Sequence, residues 1–171
     1  MPHPLIFQLR FTRAEFLRGL DGLSDPDAVR RVGRMNSISW NVGHLAWQEQ
    51  RYWLYRLQNQ LPWPDIQKQF CYGCPPITPP LADMLSVWRA ITDAADPFLD
   101  TLTADDLLAQ HPLGDGPDFF TAGNLMQRVI YHYWYHTGEN QAIRQVLEHA
   151  GLQDFVGNID DEAPYVRGYD A

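Results

Sequence analysis

The 171-residue chain is short of cysteine, of positive charge and of long apolar runs, and each shortage narrows what it can be. Two cysteines, Cys71 and Cys74, cannot build a disulfide scaffold. Their spacing, Cys71-Tyr72-Gly73-Cys74, fits half a zinc site or a redox pair. With no second CxxC and no histidine nearby in sequence, two reduced thiols at or near the surface are expected. Thirteen Lys and Arg stand against 21 Asp and Glu, giving a net charge of −8 and a pI near 5.0. No basic stripe is available to displace counterions from a phosphate backbone, which speaks against nucleic acid as a partner. No stretch approaches the roughly 18 consecutive apolar residues of a membrane span, and Met1-Pro2-His3-Pro4 does not begin a charged segment followed by an apolar run. A cytoplasmic protein with no membrane partner is expected. Repeats and low-complexity tracts are also missing.

What the chain has is apolar and aromatic mass, 45% and 13% of residues, enough for one domain with a real core. Leu9, Phe16, Leu17 and Leu20 recur at helical spacing, so a first helix is expected from about Leu5 or Thr12 to Leu20. Asn36, Ser37 and Ser39 offer capping oxygens before a second helix reaching about Gln58, with Ile38, Val42, Leu45, Tyr52 and Tyr55 on its buried side. From Asn59 to Pro80, Pro62, Pro64, Pro75, Pro76, Pro79 and Pro80 argue against any helix. So long a connection implies a crossover rather than a hairpin between helices two and three. Leu81, Met84, Leu85, Trp88, Ile91, Ala95, Leu99 and Leu102 form the cleanest amphipathic run, with Thr78 as a candidate cap and Pro97 as a candidate kink. Residues 111–118 read as a turn or small hairpin. Thr121 then caps a fourth helix running to His149 or Ala150, before Gly151. The expected fold is all-α, a four-helix bundle over residues 1–151. An acidic tail, 152–171, is expected to pack on the bundle or on a second subunit.

The chemistry concentrates in the fourth helix. His132 and His136 lie four residues apart, one above the other on a stripe that also carries Leu125, Val129 and Ile143 and should be buried. A third imidazole is available from His44 in the second helix. Three neutral imidazoles from two helices suit a divalent first-row metal with positions left open. A di-iron bundle needs Glu-x-x-His and a zincin His-Glu-x-x-His, and the chain has neither; two histidines on one helix cannot ligate both faces of a haem. Glu139, one turn beyond His136, is a candidate for orienting an imidazole or for general-base work. Arg128, one turn before His132, is a candidate anchor for an anionic substrate or a partner for an acidic neighbour, Gln48 is a candidate support for a ligand, and for Glu139 a plain solvated helix carboxylate is the alternative. Gly43 and Gly138, beside the histidines, each weaken a helix by about 1 kcal/mol against Ala, which close approach of another backbone or a ligand explains; for Gly43 an alternative is its place in the fraying first turns. Trp40, Trp47, Tyr131, Trp134 and Tyr135 default to core, with pocket-lining open to those at the end of the bundle.

The segments Asn41-Val42-Gly43-His44-Leu45-Ala46 and His132-Tyr133-Trp134-Tyr135-His136-Thr137-Gly138-Glu139, followed by Ile143-Arg144-Gln145, resemble the DinB/YfiT-like family in content and in chain order. The resemblance covers nearly the whole chain. It implies a four-helix bundle, often a homodimer, with His44, His132 and His136 on a nickel, zinc or iron ion. It also implies an activity within a varied set: transfer of low-molecular-weight thiols, thiol-dependent isomerisation, or iron-dependent sulfoxide synthesis. The leading expectation is a metal-dependent thiol transferase or hydrolase acting on a small molecule, with a low-molecular-weight thiol as a possible cosubstrate. The alternative is a non-catalytic, metal-stapled or stress-associated module, and behind it a metal-free helical domain.

Overall fold

In a computed structural model, which describes residues 2–112, 119–154 and 156–165, the capping oxygens and apolar spacings become four long helical segments. α1 runs Pro4–Arg18, with the His3 ring accepting from the Leu5 amide; a short α2, Asp25–Ala28, is capped by Ser24. Ser37 caps α3, Ile38–Glu49, and a π-helical segment, Gln50–Arg56, prolongs it. After α4, Pro64–Gln69, α5 spans Leu81–Leu99 and α6 Ala104–Leu108. A two-stranded hairpin, β1 Gln110–Pro112 with β2 Phe119–Thr121, leads into α7, Ala122–Val146, capped by Thr121; α8 is Ile159–Glu162.

Several expectations shift. Pro64 sits at the first position of α4, where its fixed φ suits a helical turn, so the proline-rich connection does contain a helix. Thr78 does not cap α5; Pro80 occupies that position with no side-chain bond. α7 ends at Val146, and Glu148 at φ 62° turns the chain before Gly151 does. The π segment rotates the end of its helix, so Trp53 and Leu54 are buried while Tyr55, expected inside, is 49% exposed. The tip of the expected 111–118 turn lies outside the described residues.

α3 is the axial element: all 12 of its residues are buried, polar ones included, whereas an amphipathic helix buries one face. It packs most extensively on α5, and α1 on α7. Gly43 meets Met84 in the first turn of α5, while Arg13 ties Glu49 to Asp96 near the end of α5, so α3 and α5 run in the same direction. Parallel neighbours need a connection that returns to the starting end, which is the crossover carrying α4. α7 is antiparallel to α3: Asn41 meets Asn140, and Gln48 meets His132. The tail lies along α1, with Glu15 accepting from the Gly157 amide and Gln8 donating to the Ala163 carbonyl. No helix among the described residues is long and apolar enough to cross a membrane.

The centre is polar as well as apolar. The Arg13 guanidinium forks onto both Glu49 oxygens at 2.8 and 2.7 Å, Tyr133 donates to Glu49 at 2.8 Å, and Trp88 donates to the Tyr133 oxygen at 2.6 Å. Burial, and next the Glu49 carboxylate, push the Tyr133 phenol well above its ordinary range, so it stays a hydroxyl donor.

Candidate metal centre

Two antiparallel stripes face one another beside that network. On α3, Asn41, His44 and Gln48 recur at three and four residues; on α7, His132, His136 and Glu139 or Asn140 do the same. Each group on one stripe therefore meets a partner on the other. His44, His132 and His136 converge, each offering a ring nitrogen, with all three nitrogens within 4.8 Å of one another. His44 and His136 are buried and His132 half-buried.

Every imidazole is held from behind. The His44 Nδ1 lies 2.6 Å from the Phe70 carbonyl, the His132 Nδ1 2.8 Å from Gln48 Oε1, and the His136 Nδ1 2.7 Å from the Glu139 carboxylate. All three partners are oxygen acceptors, so each Nδ1 can donate its hydrogen and leave Nε2 facing the cluster as the atom that would ligate. The Nε2 atoms of His132 and His136 are 2.9 Å apart. Two lone pairs at that distance repel, so either a proton on one Nε2 or a metal ion between them holds the contact. Three imidazole nitrogens gathered within 4.8 Å of one another are donors that a divalent first-row ion would accept. The donor set thus fits a divalent metal, and the oxygen behind each ring is the support that metal-binding histidines characteristically have.

Electrostatics agree. Burial, and to a lesser degree the neighbouring His136, holds the His44 pKa down to about 4 against the Phe70 bond that raises it. Burial, then His136 and His44, lowers His132 to about 3. Both rings are therefore neutral near pH 7, the form that ligates.

His44 is clamped between indoles: Trp40 stacks on it at 4.7 Å between centroids and Trp47 at 5.1 Å, both buried. Tyr131 and Tyr135, by contrast, are 68% and 69% exposed and are not core, although the Tyr135 ring meets the His136 ring edge-on at 5.1 Å between centroids. Gly43 is explained by a side chain rather than by a backbone, a ligand or fraying: a Cβ there would stand 2.6 Å from the Phe70 ring. Gly138 faces open space, so close approach does not account for it.

Glu139 sits behind His136, also accepting from Asn41 at 3.0 Å. Arg128 is exposed one turn before His132. Its charge reaches Arg56, whose guanidinium is held below its ordinary value by burial, then by Arg51, and less by Arg128. Among the described residues no carboxylate pairs with Arg51, Arg56 or Arg128, while Arg51 lies over the Trp47 ring at 5.1 Å. Sequence reasoning missed Asn41 and the Phe70 carbonyl, whereas Asn140 was an alternative to Glu139 on the histidine stripe. Asn41 was findable one turn before His44 on the same stripe. The carbonyl was not, because any residue supplies one.

No curated protein matches the chain. The family model of the DinB superfamily matches residues 8–139, a span that includes all three histidines, and the chain belongs to the DinB superfamily.

Proposed function

We propose that the chain is a metal-dependent enzyme acting on a small molecule, either transferring a thiol or hydrolysing a bond, with zinc or nickel as the favoured ion and iron also accommodated by three imidazoles. The observation that carries this reading is the count of ligands. Three histidines converge, and among the described residues no fourth ligating side chain joins them, as in catalytic rather than structural sites. A divalent ion held there supplies Lewis-acid charge, which favours a thiolate or hydroxide near neutral pH.

The chain's own residues do the rest. Glu139 acts as a positioning residue: its carboxylate keeps the His136 hydrogen on Nδ1 and so leaves Nε2 free. Trp40 and Trp47 keep water from the two faces of His44 and limit its rotation. Arg51, Arg56 and Arg128 act on one another electrostatically, and Arg51 lies over Trp47, whose ring stacks on His44, so positive charge gathers on that side of a chain of net charge −8, which supports an anionic substrate.

The test is turnover by metal-loaded protein on a panel of low-molecular-weight thiols with electrophiles, and of esters and amides. Activity in the wild type that disappears in a folded His132→Ala variant is the expected result. Inactivity of the fully loaded wild type across the panel sinks the enzyme reading and leaves a non-catalytic metal-binding module.

A further inference from the structure

The CxxC motif is not absorbed by the three-histidine site, and its cysteines are not the reduced thiols expected from sequence: Cys71 and Cys74 form a disulfide. The two sulfurs close a four-residue ring over a turn in which the Cys74 amide donates to the Cys71 carbonyl at 3.0 Å and Gly73 takes φ +80°. Tyr72 within the ring is 90% exposed and both cysteines are half-buried, so the ring lies at the surface.

Both flanks of this ring hold the metal centre. On one side, the Phe70 carbonyl accepts from the His44 Nδ1 at 2.6 Å, and the Phe70 ring, 1% exposed, is seated against Gly43 and Met84. On the other, the Pro75 carbonyl accepts from the Trp40 indole at 3.2 Å, and that indole stacks on His44. One carbonyl orients the ligand and the other orients the ring covering it, with the disulfide between them.

We infer that Cys71 and Cys74 form a thiol-exchange site for a low-molecular-weight thiol, and that the oxidised ring, through the Phe70 and Pro75 carbonyls, holds His44 in its metal-binding orientation. In the forward exchange a thiolate attacks one cysteine sulfur and the Cys71–Cys74 bond breaks. A mixed disulfide forms and the other cysteine leaves as a thiolate. A second thiolate then attacks the mixed disulfide, releasing the oxidised small thiol. Two electrons pass to the pair, and each cysteine takes up a proton from water as its pKa requires. Opening the ring frees residues 71–74, and the carbonyls on either side lose the constraint that fixes their direction. A support lost behind a metal-binding histidine weakens the metal about 10–100-fold.

The inference rests on the histidine cluster binding a metal, and two measurements separate the claims. In glutathione buffers of graded redox state, alkylation and mass measurement on the full chain should show Cys71 and Cys74 passing together between disulfide and dithiol. A pair that stays oxidised throughout overturns the exchange site. Zinc affinity, by competition with a chromophoric chelator, should be about tenfold weaker or more for the reduced protein freed of reductant. It should be weaker to the same degree in the double variant Cys71→Ser, Cys74→Ser, which cannot ligate through sulfur and should not respond to redox state. Equal affinity in the oxidised and reduced wild type overturns the coupling alone, even if the double variant does not fold. Zinc binding to neither form overturns the coupling and the metal reading together.

Discussion

His44 and His132 protonate far below the value of 6.5 at which an unfolded chain takes up those protons, at about 4 and about 3 respectively. With folded-state values depressed, their contribution to stability is complete above pH 6.5 and is lost as pH falls toward 3, because the unfolded state then binds more protons than the folded one. Metal-free protein should therefore lose stability on the order of a few kcal/mol between pH 6.5 and 4, measurable by urea denaturation at fixed ionic strength. A variant with both residues replaced by Gln should show a flatter profile. A wild-type profile already flat over that range would mean that the rings are not buried as described. At the same scale, Glu139→Ala should weaken zinc or nickel about 10–100-fold, since it frees the His136 Nδ1. Glu139→Gln keeps an oxygen acceptor and should lose less. Competition with a chelator reads both, and equal affinities in all three proteins would remove Glu139 from the site.

At the scale of elements, α3 earns its central place through Gly43. A methyl group there would press on the Phe70 ring at 2.6 Å and on the Met84 sulfur at 2.9 Å. Overpacking of this kind is destabilising by roughly 1–3 kcal/mol, against about 1 kcal/mol gained in helix propensity. Gly43→Ala should lose up to about 2 kcal/mol in urea denaturation, and should also weaken metal binding because the displaced Phe70 carries the carbonyl behind His44. Unchanged stability and affinity would show that Phe70 has room to move. The same helix shows where pattern reading works and where it stops. The Ser37 cap was legible because a hydroxyl before an apolar run is a local signal. The π segment was not, because nothing within a turn or two signals it; at its start Gln50 bonds both the amide and the carbonyl of Trp63, 13 residues on. Tyr55 consequently faces solvent instead of the core.

For the molecule as a whole, the three histidines join α3 to α7, two elements far apart in the chain, so a bound ion crosslinks the bundle. Zinc or nickel at a hundredfold excess over its Kd should stabilise the fold by about 2.7 kcal/mol, and EDTA should reverse the gain. The rise in Tm should be missing when His44, His132 and His136 are all changed to Ala. An unchanged Tm in wild type at saturating zinc and nickel would remove the metal from this account.

The chain's order of residues was sufficient for the all-α class, the long crossover, and three candidate ligands, because helix caps, apolar periodicity and a His-x-x-x-His spacing act within a turn or two of the backbone. It also contained the polar stripe of α3, although a helix buried on every side leaves no amphipathic contrast by which to read it. Tertiary structure decided what lies behind each imidazole, that Trp40 and Trp47 stack on His44 while the exposed Tyr135 meets His136 edge-on, and that the Phe70 carbonyl, next to Cys71 in a proline-rich connection, sits behind a histidine 26 residues earlier in the chain. These depend on which surfaces meet once the helices pack. A backbone carbonyl, the support His44 depends on, has no signature in the sequence at all.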